Sequence, residues 1–490
     1  MSGERTLATE LATWAARLTY ADLPTRITDY AVSAVISHLG VLRAGISHPL
    51  GWKLLKAFGS PLADDPARAA HVLAGLSSCL YYEDSMYVGH VTHSTVNVPL
   101  AYRRQSGLDG RALLAAVVAS SECAARVTAA AALGTLRGQG ASYAQLVGAV
   151  AARSHAQGDP VEAWVNAWGI ALSAPPWPLR RAFLGSDAKV LSAAVPVRIA
   201  LDACDAAAAG LTGAPDLLEH PNGLLAKVSQ VPSPEVITSG FGERWHTETL
   251  TVKLHPAGAY VDAAIDCAMA LHDKLTAQDA DDIAEVEVRA AGLTIAMDAD
   301  GAPYLDRERS AIMALNLSVG YNVATALLTG AVTPADLTGP ATADPRRWEL
   351  AERTRLRFDP ELSRNLLRAT APLGEAVRQA GERARGWLAD FSGGRAAPPP
   401  GPPSTTFENA TKAVGAVVTL VFKDGRRLTE GRAHAAGSAG EETRREHRAM
   451  ARAKLLATGV PQEVADELDR LPELDARQLD HLIRTALTAH

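Results

Sequence analysis

The first half of the chain repeats the spacing of amphipathic helices. Apolar residues recur every three or four positions over 7–18, and Leu23-Pro24 ends this first pattern. Longer helical patterns follow at 27–41, 72–80 and 113–133, and the last of these is rich in alanine and apolar on all sides. This half of the sequence therefore predicts a helical structure.

From about residue 249 the pattern changes to a mixture of short strands and helices. Alternating, β-branched residues are typical of strands, whereas apolar residues three or four positions apart are typical of helices. On this basis we predict strands at 249–254, 283–290 and 414–422, helices at 261–271, 311–328 and 347–387, and a Gly/Pro-rich loop at 393–404. A charged helical tail ends the chain. The order is thus a helical part, an α+β part and a helical return.

Composition narrows the class of protein. The 490 residues are 47% hydrophobic and 21% charged, which describes a globular chain long enough for two or three structural domains. The net charge of −6 argues against nucleic acid as the main partner. No continuous apolar run reaches the ~18 residues that span a membrane, and the acid-containing N-terminus does not resemble a signal peptide. Four scattered cysteines are typical of free core thiols, so we expect a cytoplasmic protein.

The most informative stretch is 74–104, where a polar segment separates two apolar, helix-like segments. Its chemistry-bearing residues are Tyr81, Tyr82, Glu83, Asp84, Ser85, His90, Thr92, His93 and Ser94. Polar groups near a core cost free energy unless each has a partner. The segment is therefore either a functional site or a solvated helix–helix turn capped by Asp84 or Ser85. His90 and His93 lack a third residue at metal-ligand spacing, so no metal is predicted.

This stretch resembles the signature of the MmgE/PrpD family, the 2-methylcitrate dehydratase and cis-aconitate decarboxylase superfamily. That signature is an acidic run followed by a histidine segment that leads into an apolar helix. Residues 83–85 match the end of the acidic run, and His93-Ser94 matches the histidine segment. Tyr81 stands where the first acidic residue usually is, and no proline follows His93.

The resemblance continues along the chain with two departures. The family motif Arg-Gly-aromatic-His-Pro-Thr corresponds to 137–142, where Gly140 replaces the histidine. Gly258 stands where the family often has His or Cys. Lys189 matches a lysine that ends a proline-rich loop, and Lys253 matches a basic residue at the hinge between domains. Tyr321, in the element 316–321, matches a family tyrosine.

The resemblance implies roles for these residues in proton transfer beside a carbonyl or carboxylate, without a cofactor. His93 is the acid/base candidate because an unperturbed imidazole titrates near pH 6.5. Lys189 and Lys253 would hold an anion. We assign His93, Lys189, Tyr321 and Asp84 to catalysis, and Ser85, Lys253, Gly140, Gly258, His90 and Tyr81 to substrate binding.

The resemblance also implies an architecture: a large all-helical domain built from both chain ends, and a smaller inserted α+β lid. We place the first helical part at 1–248, the lid at 249–434 and the helical return at 435–490. Family members are commonly homodimers, and the apolar helix 113–133 would suit a large interface. The expected partners are thus a small-molecule substrate and a second copy of the chain, with neither nucleic acid nor membrane.

The missing imidazoles at Gly140 and Gly258 predict a larger pocket and a substrate that is larger or less charged than citrate-like acids. The leading hypothesis is a cofactor-independent lyase of the dehydratase or decarboxylase type. An isomerase or cyclase of a specialised biosynthetic pathway is the second hypothesis, and a non-catalytic ligand-binding homologue is the third. His90, His155 or His255 could replace the missing imidazoles in space.

Overall fold

The computed structural model describes residues 5–134, 140–392 and 401–488. Helices make up the first part of the chain, as the periodicity predicts. They are α1 (Leu7–Ala15), α2 (Thr25–Ser47), α3 (Pro49–Phe58), α4 (Pro66–Ser78), α5 (Thr92–Thr95), α6 (Asn97–Tyr102), α7 (Gly110–Ala130), α8 (Gly140–Gln157), α9 (Val161–Ala171), α10 (Arg180–Gly185), α11 (Leu191–Ala208) and α12 (Leu224–Val228). Residues 137–139 of the glycine motif lie outside the described residues.

The second part mixes helices with four strands. Its elements are α13 (Asp262–His272), α14 (Ala277–Asp281), β1 (Ile283–Ala290), α15 (Gly292–Gly301), α16 (Ile312–Leu317), α17 (Val319–Thr329), α18 (Gly339–Thr342), α19 (Pro345–Glu352), β2 (Thr354–Phe358), α20 (Pro360–Arg368), α21 (Gly374–Ala380), α22 (Arg385–Phe391), β3 (Ala416–Phe422) and β4 (Arg427–Arg432). The chain returns to helices in α23 (Glu441–Leu456), α24 (Gln462–Asp469) and α25 (Ala476–Thr488). The predicted fold class, mainly α with a smaller α+β part, is confirmed.

The strands form one mixed sheet in the order β2-β1-β3-β4. β1 is parallel to β2 and antiparallel to β3, with Val288 opposite Leu356 on one side and Val418 on the other. α13 and α17 cover one face of this sheet, and their apolar side chains form a core with those of β1 and β3.

The larger core joins helices from both ends of the chain. Leu39 of α2, Leu455 of α23 and Ile483 of α25 are all fully or almost fully buried in it. The segment from α20 to α22 lies between β2 and β3 in sequence, yet its apolar residues belong to this larger core as well. The predicted domain limits at 248 and 434 stay predictions.

Several local predictions differ from the structure. Residues 249–254 do not join the sheet: they follow a 3₁₀ turn, His246–Thr249, and Thr251 forms an isolated bridge with Ser85. The helix predicted at 311–328 is broken at Ser318, whose side chain caps α17. The strands β2 and β4 were not predicted. Residues 393–400 of the predicted loop lie outside the described residues.

Two helices, α2 and α7, are long and apolar enough to cross a membrane by length and mean hydropathy, although neither is a continuous apolar run. The most apolar 18 residues of α2 and α7 are 89% and 94% buried inside the protein, as in core helices.

α7 is the helix that we assigned to a dimer interface. Because the chain's own helices already cover it, it does not offer a free interface, and the homodimer stays a prediction.

Candidate active site

The polar segment between α4 and α5 lies where the helical part meets the α+β part. Asp65 and Pro66 start α4, and the helix ends at Ser78, immediately before the polar residues. Tyr81 and Tyr87 have left-handed backbone angles, with φ of 56° and 51°. The chain between them is held at Ser85 by backbone hydrogen bonds with Thr251.

A cavity of about 190 Å³ opens beside this segment. One end is polar and is lined by Ser78, Tyr81, Glu83, His90, His93, Gln145 and Lys189. Most of the remaining wall is apolar, formed by Val88, Ala131, Ala132, Phe183, Leu184, Val228, Leu293, Met297 and Met313. The site thus combines a concentrated group of titratable side chains with an apolar chamber.

Glu83 is the centre of the polar end. Its Oε1 atom lies 3.1 Å from His90 Nδ1 and 3.2 Å from His93 Nε2. Its Oε2 atom is buried and has no hydrogen-bond partner among the described residues. Burial alone would raise the pKa of Glu83, but Lys189, His93 and His90 together hold it well below its usual value. Glu83 is therefore an ionised carboxylate that lines the cavity.

Lys189 is the buried cation of the cavity wall. It lies in a 3₁₀ turn, Asp187–Val190, after the proline-rich loop, and its Nζ atom donates to the carbonyl of Ser78. Burial lowers the pKa of Lys189, while the Glu83 carboxylate opposes this change. The ammonium group also lies 4.7 Å from the centre of the Tyr81 ring.

Tyr81 separates this lysine from a second one. Lys253 Nζ lies 4.4 Å from the centre of the Tyr81 ring, and the centre of the His90 ring lies 5.0 Å from it. Lys253 Nζ also donates to the carbonyls of Tyr81 and Ala257. These contacts hold Tyr81 in place, and Lys253 is not among the described residues that line the cavity.

Asp84 and Ser85 are held on the side away from the cavity. Asp84 Oδ1 accepts hydrogen bonds from Lys253 N at 3.0 Å and from Lys454 Nζ at 3.1 Å. Lys412 Nζ donates to Ser85 Oγ at 3.0 Å. Both residues therefore anchor the segment that carries Glu83, and neither reaches the cavity as the structure describes it.

Tyr321 and the two glycines lie in other settings. Tyr321 is fully buried, donates its hydroxyl to Asp336 O at 2.6 Å and packs on Trp348, away from the described cavity wall. A Cβ atom at Gly258 would lie 2.9 Å from Leu317 Cδ2, so the missing side chain there does not enlarge the cavity. Gly140 is the first residue of α8.

Of the three histidines proposed to compensate, only His90 lines the described cavity. His155 Nε2 lies 2.8 Å from Leu18 O. His255 Nε2 lies 2.9 Å from Asp266 Oδ1. Within the described ranges, no group of three or more His, Cys, Asp or Glu residues is placed to hold a metal ion.

Sequence reasoning missed four residues of this site. Glu83 was seen in the acidic run but was passed over in favour of Asp84. Gln145 and Tyr143 follow the glycine motif on α8, and Arg180 begins α10 after the proline-rich loop. Gln145 donates to His90 O at 2.7 Å, and its Oε1 has no partner in the described part of the chain. Nothing in the sequence pattern marks these last three residues as site residues.

Comparison with known families identifies the family of the chain. The MmgE/PrpD N-terminal domain matches residues 9–237, and the MmgE/PrpD C-terminal domain matches residues 255–401. The chain belongs to the MmgE/PrpD family. This is a family of dehydratase-type enzymes, and the stretch between its two matched domains, 238–254, lies between α12 and α13. No curated protein matches the MmgE/PrpD chain described here at a significant level.

Proposed function

We propose that this protein is a cofactor-independent lyase that moves a proton beside a carbonyl or carboxylate. Its substrate has one anionic head group and a mainly apolar remainder. The observation that carries this proposal is the group formed by Glu83, His93 and Lys189 at one end of an apolar cavity. An acid/base pair and a cation at the same end suit the dehydration or decarboxylation of an acid.

His93 is the group that moves the proton in this proposal. An imidazole gives and takes protons near neutral pH. The ionised Glu83 carboxylate, 3.2 Å from His93 Nε2, would stabilise the imidazolium that forms when the ring takes a proton. A positioned acid/base of this kind contributes about 10²–10⁴-fold to a rate.

The charges around the site favour an anionic head group. Four buried lysines surround the segment 81–85 and its cavity: Lys189, Lys253, Lys412 and Lys454. The nearby buried carboxylates are Glu83, Asp84 and Asp262. Burial raises the pKa of Asp262 to about 6, although Lys253 opposes this change. Of these lysines Lys189 lines the cavity, and its ammonium group is placed to contact a substrate carboxylate.

The apolar wall argues against a citrate-like substrate. A carboxylate placed against Phe183, Leu293 or Met313 would lose its water without gaining a partner, which is costly. Arg180 also lines the cavity, but its guanidinium pairs with Asp300. An alkyl or polyketide-like chain would instead gain about 25 cal/mol for each Å² of apolar surface that it buries.

An isomerase or cyclase is the second candidate function. It would use the same proton transfer, and the apolar chamber would fold the substrate chain. The presence of Glu83, His90 and His93 in the cavity supports either enzyme over a non-catalytic binding protein. The expected location in the cytoplasm and the homodimer are part of this proposal.

The test is hydrogen–deuterium exchange in D₂O, followed by proton NMR. The panel contains 3-hydroxy and 3-oxo acids with short and long alkyl chains, with cis-aconitate and 2-methylcitrate for comparison. We expect the protons beside the carboxylate of the alkyl acids to exchange with deuterium. The protons of the two tricarboxylates should exchange about tenfold more slowly or slower still, because at least one of their carboxylates would be buried without a partner. New products of equal mass would identify the isomerase or cyclase.

The matched variants are His93→Gln and His481→Gln. His481 is exposed on α25, so its replacement should leave exchange unchanged. Efficient turnover of the tricarboxylates, or equal exchange by wild type and His93→Gln, would contradict the proposal.

A further inference from the structure

A second apolar cavity lies next to the active-site cavity, and the two have α15 in common. Its volume is about 610 Å³, compared with about 190 Å³ for the active-site cavity. The helices α15, α20 and α22 form it, and we call it the outer pocket. Its main apolar side chains are Leu293, Met297, Leu366, Leu367 and Phe391. A concave apolar surface of this volume is typical of a site for a small molecule.

One face of α15 connects the two cavities. Leu293 and Met297 line both of them, whereas Ala296 and Asp300 line the outer pocket alone. Residues three or four positions apart lie on the same face of a helix, so all four belong to one face of α15. Leu293 and Met297 therefore form a wall that the active-site cavity and the outer pocket share.

Met297 is the adjustable part of this wall. It is partly buried, and it packs against both the main core and a small cluster made of Leu184, Met313 and Leu317. A methionine side chain is unbranched and has three rotatable bonds, so it adapts its shape to a neighbouring ligand at little cost. A chain that extends from the active-site cavity has its shortest route to the outer pocket beside Met297.

The charges around the outer pocket favour an apolar ligand. Asp300 and Arg364 are the charged residues that line it in the described part of the chain. Asp300 pairs with Arg180, and Arg364 pairs with Glu361. Because both charges already have a partner, the pocket does not need a charged group from a ligand, and its leucines would pack against an alkyl chain.

The active-site cavity is too small to hold a long substrate alone. Pockets that bury a drug-sized molecule have volumes of about 300–1,000 Å³. The active-site cavity, at about 190 Å³, has room for the reacting end of an acid beside Lys189. The remainder of a long chain must lie elsewhere, and the outer pocket is adjacent.

We propose that the outer pocket binds the far end of an alkyl chain whose carboxylate contacts Lys189, and that the chain passes the shared wall at Met297. The inference rests on the proposed function for the position of the carboxylate. It narrows the substrate class to acids with a chain long enough to reach the outer pocket. A short acid fills only the active-site cavity and gains nothing from α20 and α22.

The first test is calorimetric titration of the full-length protein with butanoate, hexanoate, octanoate and decanoate. We expect Kd to fall by about two- to fourfold for each added methylene, as for the burial of a CH₂ group. The fall should continue up to decanoate, because the outer pocket takes the chain that the active-site cavity cannot hold. An affinity that stops rising after hexanoate would overturn the proposal.

Two tryptophan variants on α15 locate the chain. Ala296 lines the outer pocket but not the active-site cavity, whereas Ala299 lines neither, and both are exposed. Ala296→Trp should weaken decanoate relative to butanoate by about tenfold or more, since it displaces at least two methylenes. Ala299→Trp is the matched control and should leave the ratio as in wild type. The same ratio in both variants would contradict the proposal.

Lys189→Met separates an extended site from an independent apolar site. If one chain occupies both cavities, loss of the ammonium group should weaken butanoate and decanoate by the same factor, about 10- to 100-fold. Decanoate binding that is unaffected by Lys189→Met would show that the outer pocket binds its ligand by itself, and would reject the proposal.

Methyl NMR of protein labelled with ¹³C-methyl methionine examines the shared wall. The chain has six methionines, and the Met297 signal is the one that disappears in Met297→Leu. Decanoate should shift this signal much more than butanoate does, because only the longer chain passes the wall. Met269 and Met450 line neither cavity and are internal controls. A Met297 signal that is unchanged by decanoate would overturn the proposed route.

These binding measurements need no turnover, so their outcome is separate from that of the proposed function. The expected chain-length series in a protein that exchanges no acid would reject the proposed function and leave the outer pocket as a binding site. Exchange of acids without any dependence on chain length would do the reverse.

Discussion

Two buried ionic clusters in this molecule each combine a glutamate with histidine and a basic side chain but have different surroundings. Glu83 lies with His90, His93 and Lys189 beside the cavity. Glu122, on α7, lies with Arg126 and His246. The carboxylates of both clusters are completely buried. Against the effect of burial, Lys189 and the two histidines lower the pKa of Glu83, and the His246 hydrogen bond and Arg126 lower that of Glu122 to about 2. Burial and charge alone therefore do not distinguish them.

The partners of each carboxylate do distinguish them. Glu122 Oε1 accepts from the backbone and side chain of Thr247 at 2.8 and 2.9 Å, and Arg126 Nε donates to Oε2. The Arg126 guanidinium also lies 5.0 Å from the Trp14 ring centre and 4.9 Å from that of Phe241. Glu83 Oε2 has no such partner in the described residues and lines a cavity. A buried charge with open hydrogen-bonding capacity beside a cavity marks a site, whereas a fully bonded one marks a structural support.

The largest expected effect is on catalysis by the cavity cluster. His93→Ala should lower turnover by about 10²–10⁴-fold, as for the loss of a positioned acid/base. Substrate binding should change much less, because the ring is not the residue that holds the anion. Steady-state kinetics on a substrate found by deuterium exchange would measure both. Full activity in His93→Ala would remove the acid/base assignment and favour a cyclase that only shapes its substrate.

Arg126→Met should show the structural role of the second cluster. It leaves the Glu122 carboxylate buried without its cation, which costs about 3–5 kcal/mol of unfolding free energy. Arg445→Met is the control, because Arg445 pairs with Glu441 at the same i,i+4 spacing but on the surface. That change should cost less than about 0.5 kcal/mol. Similar losses in urea unfolding of the two variants would refute the distinction.

The second cluster should also make stability depend on pH. Burial lowers the pKa of His246 to about 4, so the unfolded chain takes up a proton at this residue before the folded chain does. Stability should therefore fall as pH decreases from about 6.5 to 4, by up to about 3 kcal/mol. His246→Phe, which keeps the ring contact with Phe407, should lose less over this range. An unchanged pH profile in this variant would show that His246 is not the cause.

A smaller effect is expected at the anion-binding end of the cavity. Lys189→Met should raise KM by about 10- to 100-fold, since a lost charge-assisted hydrogen bond is worth about 1.5–3 kcal/mol. Lys53→Met is a suitable control, because Lys53 is exposed and pairs only with Asp187 among the contacts in the described chain. A drop in kcat with unchanged KM would instead assign Lys189 to the chemical step.

The sequence predicted the helical framework better than the sheet. Long apolar repeats such as the one in α7 have few alternatives to a buried helix. β2 and β4 are edge strands, rich in arginine: β2 alternates over only five residues within a charged stretch, and β4 lacks apolar alternation. The segment 249–254 has that alternation, but its partner is Ser85, far away in sequence. Strand pairing of this kind is a tertiary event that local patterns do not encode.

The site was predictable to a similar degree. The family resemblance pointed to His93 and Lys189, and the polar segment pointed to Tyr81 and His90; the structure places all four around the cavity. It could not separate Glu83 from Asp84, because neighbouring residues of an extended segment point to opposite sides. It also could not foresee that Leu317 fills the space beside Gly258, or that Lys253 is bonded to two carbonyls. These depend on contacts between distant parts of the chain.

The most direct test of the account compares Glu83→Gln with Glu122→Gln in the same two measurements, deuterium exchange and thermal unfolding. We expect Glu83→Gln to lose most of the exchange while its Tm falls less than that of Glu122→Gln, because Glu83 Oε2 has no hydrogen bond to lose, whereas both oxygens of Glu122 are bonded. We expect Glu122→Gln to unfold at a lower temperature but to retain exchange below that temperature, because its carboxylate serves only the fold. Wild-type exchange by Glu83→Gln, together with a Tm lowered as much as that of Glu122→Gln, would show that both clusters are structural and would contradict the account.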